Sequence, residues 1–312
     1  MTMAYIEIRD LKVSYGRTKA VQGVSFTIPK GEVFGFIGPN GAGKTTTIKV
    51  LATLLKPSSG TAVIDDVDVV THPNKIRRLI GYMPDTFGVY EDMTVNEYLH
   101  FFAAAYKIKS ARRSGVVDDV LALTDLTDKT HANVDSLSRG MKQRLGLARV
   151  LLHDPAFLLL DEPASGLDPR ARIEVREILK ELRSMGKTVL VSSHLLHELA
   201  QVCTRIGIIE AGKMVAEGPL DEIYRRIKLT RTIHVQIPNL TPEMMEAIRK
   251  IDGIDSVDRD VDRLAVHIRE KTLPVDELAE RLHGVGAKIY MFQPEVMDME
   301  TAFMKLTEGK TA

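Results

Sequence analysis

A glycine-rich loop, set between an apolar strand pattern and a helix pattern, constrains the fold of this chain more than any other feature. The loop has the spacing G-x-x-x-x-G-K-T and is followed by two more threonines, the first of which we also assign to the site. Its residues are Gly38, Pro39, Asn40, Gly41, Ala42, Gly43, Lys44, Thr45 and Thr46. It follows the almost continuously apolar run Val33–Ile37, which is typical of a strand covered on both faces, and it opens a helix predicted over 44–55. This order predicts an α/β fold that binds phosphate groups at the loop.

The residue types of the loop match the chemistry of phosphate binding. Glycines allow backbone N–H groups to turn toward phosphate oxygens, and the N-terminus of the following helix adds a partial positive charge. We expect Lys44 to contact the β- and γ-phosphates and the hydroxyl of Thr45 to bind Mg²⁺. The alternative is a glycine turn that starts a helix without binding any ligand.

A second element supplies the acidic groups that such a site needs. The apolar run at 157–160 leads directly into Asp161 and Glu162. We predict that Asp161 is a ligand of the metal ion and that Glu162 is the general base for the attacking water. A carboxylate at the end of a core strand is common in proteins, so this pair would say little alone. Together with the loop, it predicts a P-loop nucleotide triphosphatase.

A third motif identifies the branch of these proteins that the chain resembles. The sequence L-S-R-G-M-K-Q-R at 137–144, here called the signature, is similar to the LSGGQ signature of ABC ATPases. Arg139 replaces a glycine of that pattern and Met141 replaces the glutamine. The resemblance implies that Ser138 and Gly140 face the γ-phosphate bound by a second chain. From its own spacing, Ser138 could also be a plain helix N-cap.

One more motif and three single residues extend the resemblance over about residues 4–225. Ser165, Gly166, Leu167 and Asp168 are similar to the family's D-loop, which couples two ATP sites across a dimer. His194 stands where the family has a γ-phosphate sensor, and Tyr15 where it has an aromatic ring stacked on adenine. Asp85 replaces a glutamine that contacts the metal and the attacking water. A structural histidine and a half-buried strand tyrosine are the alternatives for His194 and Tyr15.

The resemblance also implies a function, with ATP and Mg²⁺ as cofactors. It implies an ATP-hydrolysing subunit that forms a dimer of identical chains on the cytoplasmic face of the membrane and drives export through a separate permease. The permease would dock on the region 91–109, although Tyr90, Tyr98 and Phe101 could equally belong to the core. A non-transport ABC ATPase of translation or DNA repair, and a weakly active regulatory ABC protein, are the alternatives.

The rest of the chain predicts a second domain. We place an ABC ATPase domain at 1–228, with an antiparallel β subdomain, a mixed sheet and a helical insertion at about 90–152. From 229 to 312 the pattern is β-α-β-β-α-β, a ferredoxin-like α+β unit, with a closing helix at 295–306. This unit has no cluster of titratable residues at catalytic spacing, so we predict a binding or regulatory role.

Composition narrows the classes of partner. The 42 basic residues equal the 42 acidic residues, so the chain lacks the positive charge that favours nucleic-acid binding, and we expect no nucleic-acid partner. The single cysteine, Cys203, excludes an intramolecular disulfide and is expected to be a small buried residue. We predict no secretory signal and no membrane span, because the apolar runs are much shorter than about 20 residues.

Overall fold

The computed structural model describes residues 4–90, 92–194, 199, 201–227, 231–260, 263–269 and 272–294. These residues form two compact units, and the chain passes from the first unit to the second between Leu220 and Asp221. The helix predicted at 295–306 lies outside the described residues. Among the helices that are described, none has the length and apolar character needed to span a membrane.

The first unit begins with an antiparallel sheet in the order β2-β1-β4-β5. Its strands are β1 (Ala4–Tyr15), β2 (Thr18–Pro29), β4 (Ser59–Ile64) and β5 (Val67–Asp68). The sequence pattern predicts separate strands at 5–8 and 12–15, whereas the structure has one strand. The interruption is still visible, because the pairing register shifts between Ile8 and Leu11 and Asp10 has a φ of 45°. The break in alternation therefore marks an irregularity within one strand.

A six-stranded sheet carries the predicted phosphate loop. It has the order β10-β9-β3-β8-β7-β6 and is parallel except for the edge strand β10. The strands are β3 (Val33–Ile37), β6 (Ile80–Met83), β7 (Phe157–Leu160), β8 (Thr188–Ser193), β9 (Arg205–Glu210) and β10 (Lys213–Pro219). Every residue of β3, β7 and β8 is buried, which explains their apolar sequences. Because these three strands are neighbours and parallel, the segments that follow them emerge side by side.

Six α-helices accompany these sheets among the described residues of the first unit. They are α1 (Lys44–Leu51), α2 (Pro73–Leu79), α3 (Val95–Ala105), α4 (Ser110–Leu123), α5 (Arg139–Leu151) and α6 (Pro169–Ser184). Helices α3 to α5 form the helical insertion. The prediction that α1 extends to residue 55 is wrong: the helix ends at Leu51, because Thr53 adopts a left-handed φ of 61° that a helix cannot continue through.

The second unit has the predicted order of elements. After α7 (Leu220–Ile227) come β11 (Arg231–Gln236), α8 (Pro242–Arg249), β12 (Ile254–Asp260), β13 (Arg263–Ile268), α9 (Val275–Gly284) and β14 (Met291–Pro294). The strands pair antiparallel in the order β12-β13-β11-β14. Ile248 of α8 and Leu278 of α9 pack on alternate sheet residues such as Val235 and Val266. The sequence pattern predicts the last strand at 288–292, whereas in the structure it begins at Met291.

Candidate functional site

The phosphate loop joins β3 to α1 and has a backbone that requires glycine at Gly43. This residue is the N-cap of α1 and has a φ of 105°. A Cβ atom at this position would also lie 2.6 Å from the carbonyl oxygen of Ala20, closer than side-chain carbons approach backbone oxygens. A side chain is therefore excluded by both the conformation and the space, and the loop backbone stays open to a ligand.

Lys44 is the first residue of α1 and is held inside the loop. Its side chain is buried, and Nζ donates hydrogen bonds to the carbonyl oxygens of Gly38 at 2.6 Å and Pro39 at 3.2 Å. Nζ also forms an ion pair with Oε1 of Glu162 at 3.2 Å. These contacts hold the ammonium group at the base of the loop, where it can act on an anion that the loop binds.

Glu162 connects the loop to the end of β8. Its backbone has a left-handed φ of 49°, which is uncommon for a residue with a side chain and typical of functional positions. Its N–H group donates a hydrogen bond to Oγ of Ser192 at 2.9 Å. Its second carboxylate oxygen, Oε2, lies 2.8 Å from Nδ1 of His194. The side chain of Glu162 thus lies between Lys44 and His194, and its position is set from both sides.

Asp161 is fully buried at the end of β7 and directly precedes Glu162. Ser192 Oγ donates a hydrogen bond to its Oδ1 at 2.6 Å, while Oδ2 is buried and has no hydrogen-bond partner among the described residues. Ser192 therefore orients Asp161 and Glu162 together, a role that the sequence analysis missed. The available indication was a polar residue at a buried position of the apolar strand β8.

A cleft of about 180 Å³ brings residues 40–46 of the phosphate loop together with Asp85 and Glu162. It is lined by Ala20, Asn40, Gly41, Ala42, Gly43, Lys44, Thr45, Thr46, Asp85 and Glu162. Partial burial raises the pKa of the Asp85 carboxyl above its ordinary value, and the negative charges of Asp161 and Glu162 act in the same direction. The positive charge of Arg139 and the side chain of His194 act in the opposite direction.

The oxygen atoms at this cleft fit a Mg²⁺ ion that is shared with phosphate. Thr45 is exposed at the start of α1, Asp85 lies in the cleft lining, and Oδ2 of Asp161 has a free acceptor position. In the described part of the chain, no three His, Cys, Asp or Glu side chains are arranged to hold a metal by themselves. This donor set therefore suits Mg²⁺, which usually takes one or two carboxylates, water and substrate phosphates.

The signature and the D-loop lie outside the lining of this cleft and start two helices. Ser138 is the N-cap of α5 and accepts a hydrogen bond from the N–H group of Met141 at 3.3 Å. Asp168 is the N-cap of α6, and its Oδ1 accepts from the N–H groups of Arg170 and Ala171, each at 3.0 Å. These two backbone hydrogen bonds lower the pKa of Asp168. Capping leaves the hydroxyl proton of Ser138 free to donate to an incoming anion.

Tyr15 and Cys203 complete the set of predicted residues. Tyr15 is the last residue of β1, is 50% exposed, and is outside the lining of the cleft. Its ring is therefore accessible, which a stacking role requires. Cys203 is buried, and burial raises the pKa of its thiol. The structure agrees with the expectation that it is a small buried residue.

Comparisons with known proteins agree with this geometry. A family profile described as "ABC transporter" matches residues 21–165. The linearmycin resistance ATP-binding protein of Bacillus subtilis is 30% identical over 98% of this chain and 99% of its own length. The Nod factor export ATP-binding protein I of Burkholderia orbicola is 39% identical over 70% of this chain and 72% of its own. A dimeric structure of a bacterial ABC transporter cassette superposes with a TM-score of 0.63 at 27% identity, covering 69% of this chain and 98% of that one.

Proposed function

We propose, because this chain belongs to the ABC transporter family of ATP-binding proteins, that it works as a dimer and energises export through a separate membrane permease. The chain is an ATPase with the P-loop fold of the ABC cassette. The observation that carries the proposal is the position of Glu162, which lines the same cleft as the phosphate loop and contacts both Lys44 and His194.

In this proposal the chain's own residues perform three tasks. The loop amides and Lys44 bind the phosphates of ATP and spread their negative charge. Glu162 accepts the proton of the attacking water at a carboxylate oxygen, and His194 holds that carboxylate in position from 2.8 Å. A Mg²⁺ ion held by Thr45, Asp161 and Asp85 would neutralise further phosphate charge.

The arrangement of the signature supports a dimeric site. Ser138, Arg139, Gly140 and Met141 lie at the N-terminus of α5 and do not line the cleft of their own chain. A helix N-terminus with a free hydroxyl donor is suited to an anion, so the signature would complete the site of a second copy. A relative with the same fold has been observed as a dimer. In the same proposal, Tyr15 stacks on adenine and Ser165, Gly166, Leu167 and Asp168 couple the two sites.

An aromatic cluster supports docking of a permease on the helical insertion. Tyr98 is fully buried and belongs to the core, whereas Tyr90 is 52% exposed and Phe101 is 45% exposed. The ring of Tyr90 lies 5.4 Å from that of Phe101 and 6.3 Å from that of Phe102. Exposed aromatic rings supported by a buried layer are typical of protein interfaces. We therefore place the chain at the inner face of the membrane, with its ferredoxin-like unit as an accessory module.

The proposal is tested by ATP hydrolysis of the purified chain over a range of protein concentrations, in the presence of Mg²⁺. A rate per chain that rises with concentration, and that is lost in Glu162→Gln, would support a self-sufficient dimeric motor. A very low rate that is independent of concentration would contradict a self-sufficient dimer. It would mean that the permease or a second cassette is required to assemble the site, or that the chain is a regulatory ABC protein. Co-purification with a polytopic membrane protein, rather than with ribosomes or DNA, would support the transport role.

A further inference from the structure

We infer that Arg139 is a positioning residue that fastens the D-loop to the start of the signature helix within one chain. The inference rests on the proposed function, because it concerns how two ATP sites of a dimer are coupled. It assigns a role to a residue at which this chain departs from the family pattern.

The contact is made by the guanidinium group of Arg139. This residue is the first of α5, and its Nη2 donates a hydrogen bond to the carbonyl oxygen of Ser165 at 3.1 Å. The same group lies over Gly166: a Cβ atom at Gly166 would be 2.6 Å from Cζ of Arg139. The arginine thus occupies the space that Gly166 leaves open, and the two residues are matched in size.

The helices behind these segments are also packed on each other. A Cβ atom at Gly140 in α5 would lie 2.7 Å from Cβ of Ala171 in α6, so the two helices approach closely there. Further along, Nη2 of the buried Arg144 lies 3.4 Å from Oε2 of Glu174. The signature and the D-loop therefore begin two helices that touch along their first turns, and Arg139 links the segments themselves.

The chemistry of arginine suits this role. Its planar guanidinium carries five donors in a fixed arrangement, so it can bond a carbonyl oxygen while stacking over a glycine backbone. A glycine at position 139, as in the family pattern, could make neither contact. Arg139 also acts on the phosphate cleft through its charge. This charge lowers the pKa of Asp85, whereas burial raises that pKa and has the larger effect.

The consequence concerns movement of the signature. When the signature closes on the γ-phosphate bound by the other chain, the D-loop of the same chain must move with it. Occupation of one ATP site would then reach the second site through Arg139, since the two segments cannot shift independently without breaking the bond to Ser165. Cooperativity between the sites should therefore depend on this side chain more than nucleotide affinity does.

The test is a double-mutant cycle with Arg139→Ala and Gly166→Ala. Gly166→Ala introduces a methyl group against the guanidinium and strains a backbone with φ of 65°. If the contact exists, the melting temperature should fall less when Gly166→Ala is made in the Arg139→Ala chain than in the wild-type chain, because the clash is gone. Equal decreases in both backgrounds would overturn the inference, whether or not the chain hydrolyses ATP.

Steady-state kinetics test the positioning role. Arg139→Ala should lower kcat about tenfold and bring the Hill coefficient for ATP toward one, because a charged hydrogen bond is lost. The affinity of dilute, monomeric chain for ATP should not change, since Arg139 does not line the cleft. Arg139→Lys, which keeps a charged donor but not the planar group over Gly166, should recover only part of kcat.

Arg170→Ala is the matched control, because Arg170 is highly exposed and pairs only with Glu174 within its own helix among the described contacts. It removes the same charge near the start of α6 and should leave kcat and the Hill coefficient unchanged. An Arg139→Ala chain that behaves like this control would overturn the inference while leaving the proposed function intact. Absence of ATP hydrolysis in the wild-type chain would instead count against the proposed function.

Discussion

At the scale of single residues, Glu162 has the most contacts on which the proposed chemistry depends. Replacing it with glutamine keeps the shape but removes the proton acceptor, so we predict a decrease in the hydrolysis rate of about 10²- to 10⁴-fold. ATP should then remain bound and hold the dimer together, which size-exclusion chromatography with ATP would detect. Glu177→Gln, the same exchange on the exposed face of α6, is the control. Hydrolysis at the wild-type rate would show that another group is the base.

Lys44 provides a separate test of the phosphate loop. Lys44→Ala removes a buried ammonium group from the base of the loop, so we expect ATP to bind at least about tenfold more weakly. Titration with a fluorescent ATP analogue would measure this directly. Lys49→Ala removes an exposed lysine from the same helix and should have little effect. Unchanged affinity in the Lys44 variant would contradict the assignment of the loop.

His153 links stability to pH. Its ring stacks on Tyr106 with centroids 4.3 Å apart, and Nε2 donates to the carbonyl oxygen of Ile80 at 2.9 Å. Burial lowers the pKa of His153, so the folded state binds a proton less readily than the unfolded state. The stability that His153 contributes is therefore present above the unfolded pKa of about 6.5 and is lost as the pH falls below it.

We predict that the melting temperature of the wild-type chain, minus that of His153→Gln, decreases between about pH 7.5 and pH 5.5. Glutamine cannot take up a proton in this range, and the other titrating groups are common to both chains. Differential scanning fluorimetry at several pH values would give the difference. A difference that is constant with pH would mean that His153 accepts its proton equally well in the folded chain.

Most residues of the cleft were predictable from sequence, but the hydrogen bonds that hold the site together were not. Motif spacing predicts that Lys44 and Glu162 act on the same phosphate group, and the structure places both at one cleft. Ser192 and the contact of Arg139 with Ser165 depend on tertiary packing between segments distant in the chain. No local pattern specifies such contacts, because they are set by how strands and helices meet.

At the scale of elements, the clearest local interaction is the capping box of α3. Thr94 Oγ1 accepts from the N–H group of Glu97 at 3.2 Å, and Glu97 Oε2 accepts from the N–H group of Thr94 at 2.8 Å. Thr94→Ala should therefore lower the free energy of unfolding by about 1 kcal/mol. Glu97→Gln keeps an acceptor at the third position and should have a smaller effect. Chemical denaturation of both variants would test this order, and an equal loss would contradict it.

Elements with strong end signals were predicted well, and those without them were not. The sequence predicts a helix from Pro169 to about Ser184, and α6 has this range because Asp168 and Pro169 start it and Gly186 follows its end. Helix α1 lacks a terminal glycine, so the apolar pattern through Leu54 and Leu55 extended the prediction beyond Leu51, where a left-handed turn ends the helix. The final strand β14 pairs only with β11, and its limits depend on that long-range pairing.

At the scale of the whole molecule, each unit has its own hydrophobic core. One core cluster contains Leu11 with residues of both sheets of the first unit, and another contains Leu278 with residues of the second unit only. Both leucines are 0% exposed, so truncation of either to alanine should cost about 2 to 5 kcal/mol in its own unit. The order of strands and helices along the chain predicted both folds, because the described residues of each unit come from one stretch of the sequence.

We therefore predict that Leu278→Ala lowers the thermal transition of the second unit and leaves ATP affinity unchanged. Leu11→Ala should lower the transition of the first unit, and ATP should shift only that transition, because ligands stabilise the unit that binds them. Calorimetry with and without ATP would separate the two. A single transition that moves equally in both variants would mean that the cores unfold together.

The ion pair between Lys44 and Glu162 makes nucleotide binding an exchange of anions. Lys44 cannot keep its ion pair with Glu162 at 3.2 Å and also bind two phosphate oxygens fully. Phosphate must therefore compete with the Glu162 carboxylate for the lysine. If Glu162 is the general base, as we propose, its carboxylate is released from Lys44 only when the phosphates of ATP bind that lysine. In the proposed mechanism, ATP binding therefore frees the Glu162 carboxylate that acts in ATP hydrolysis.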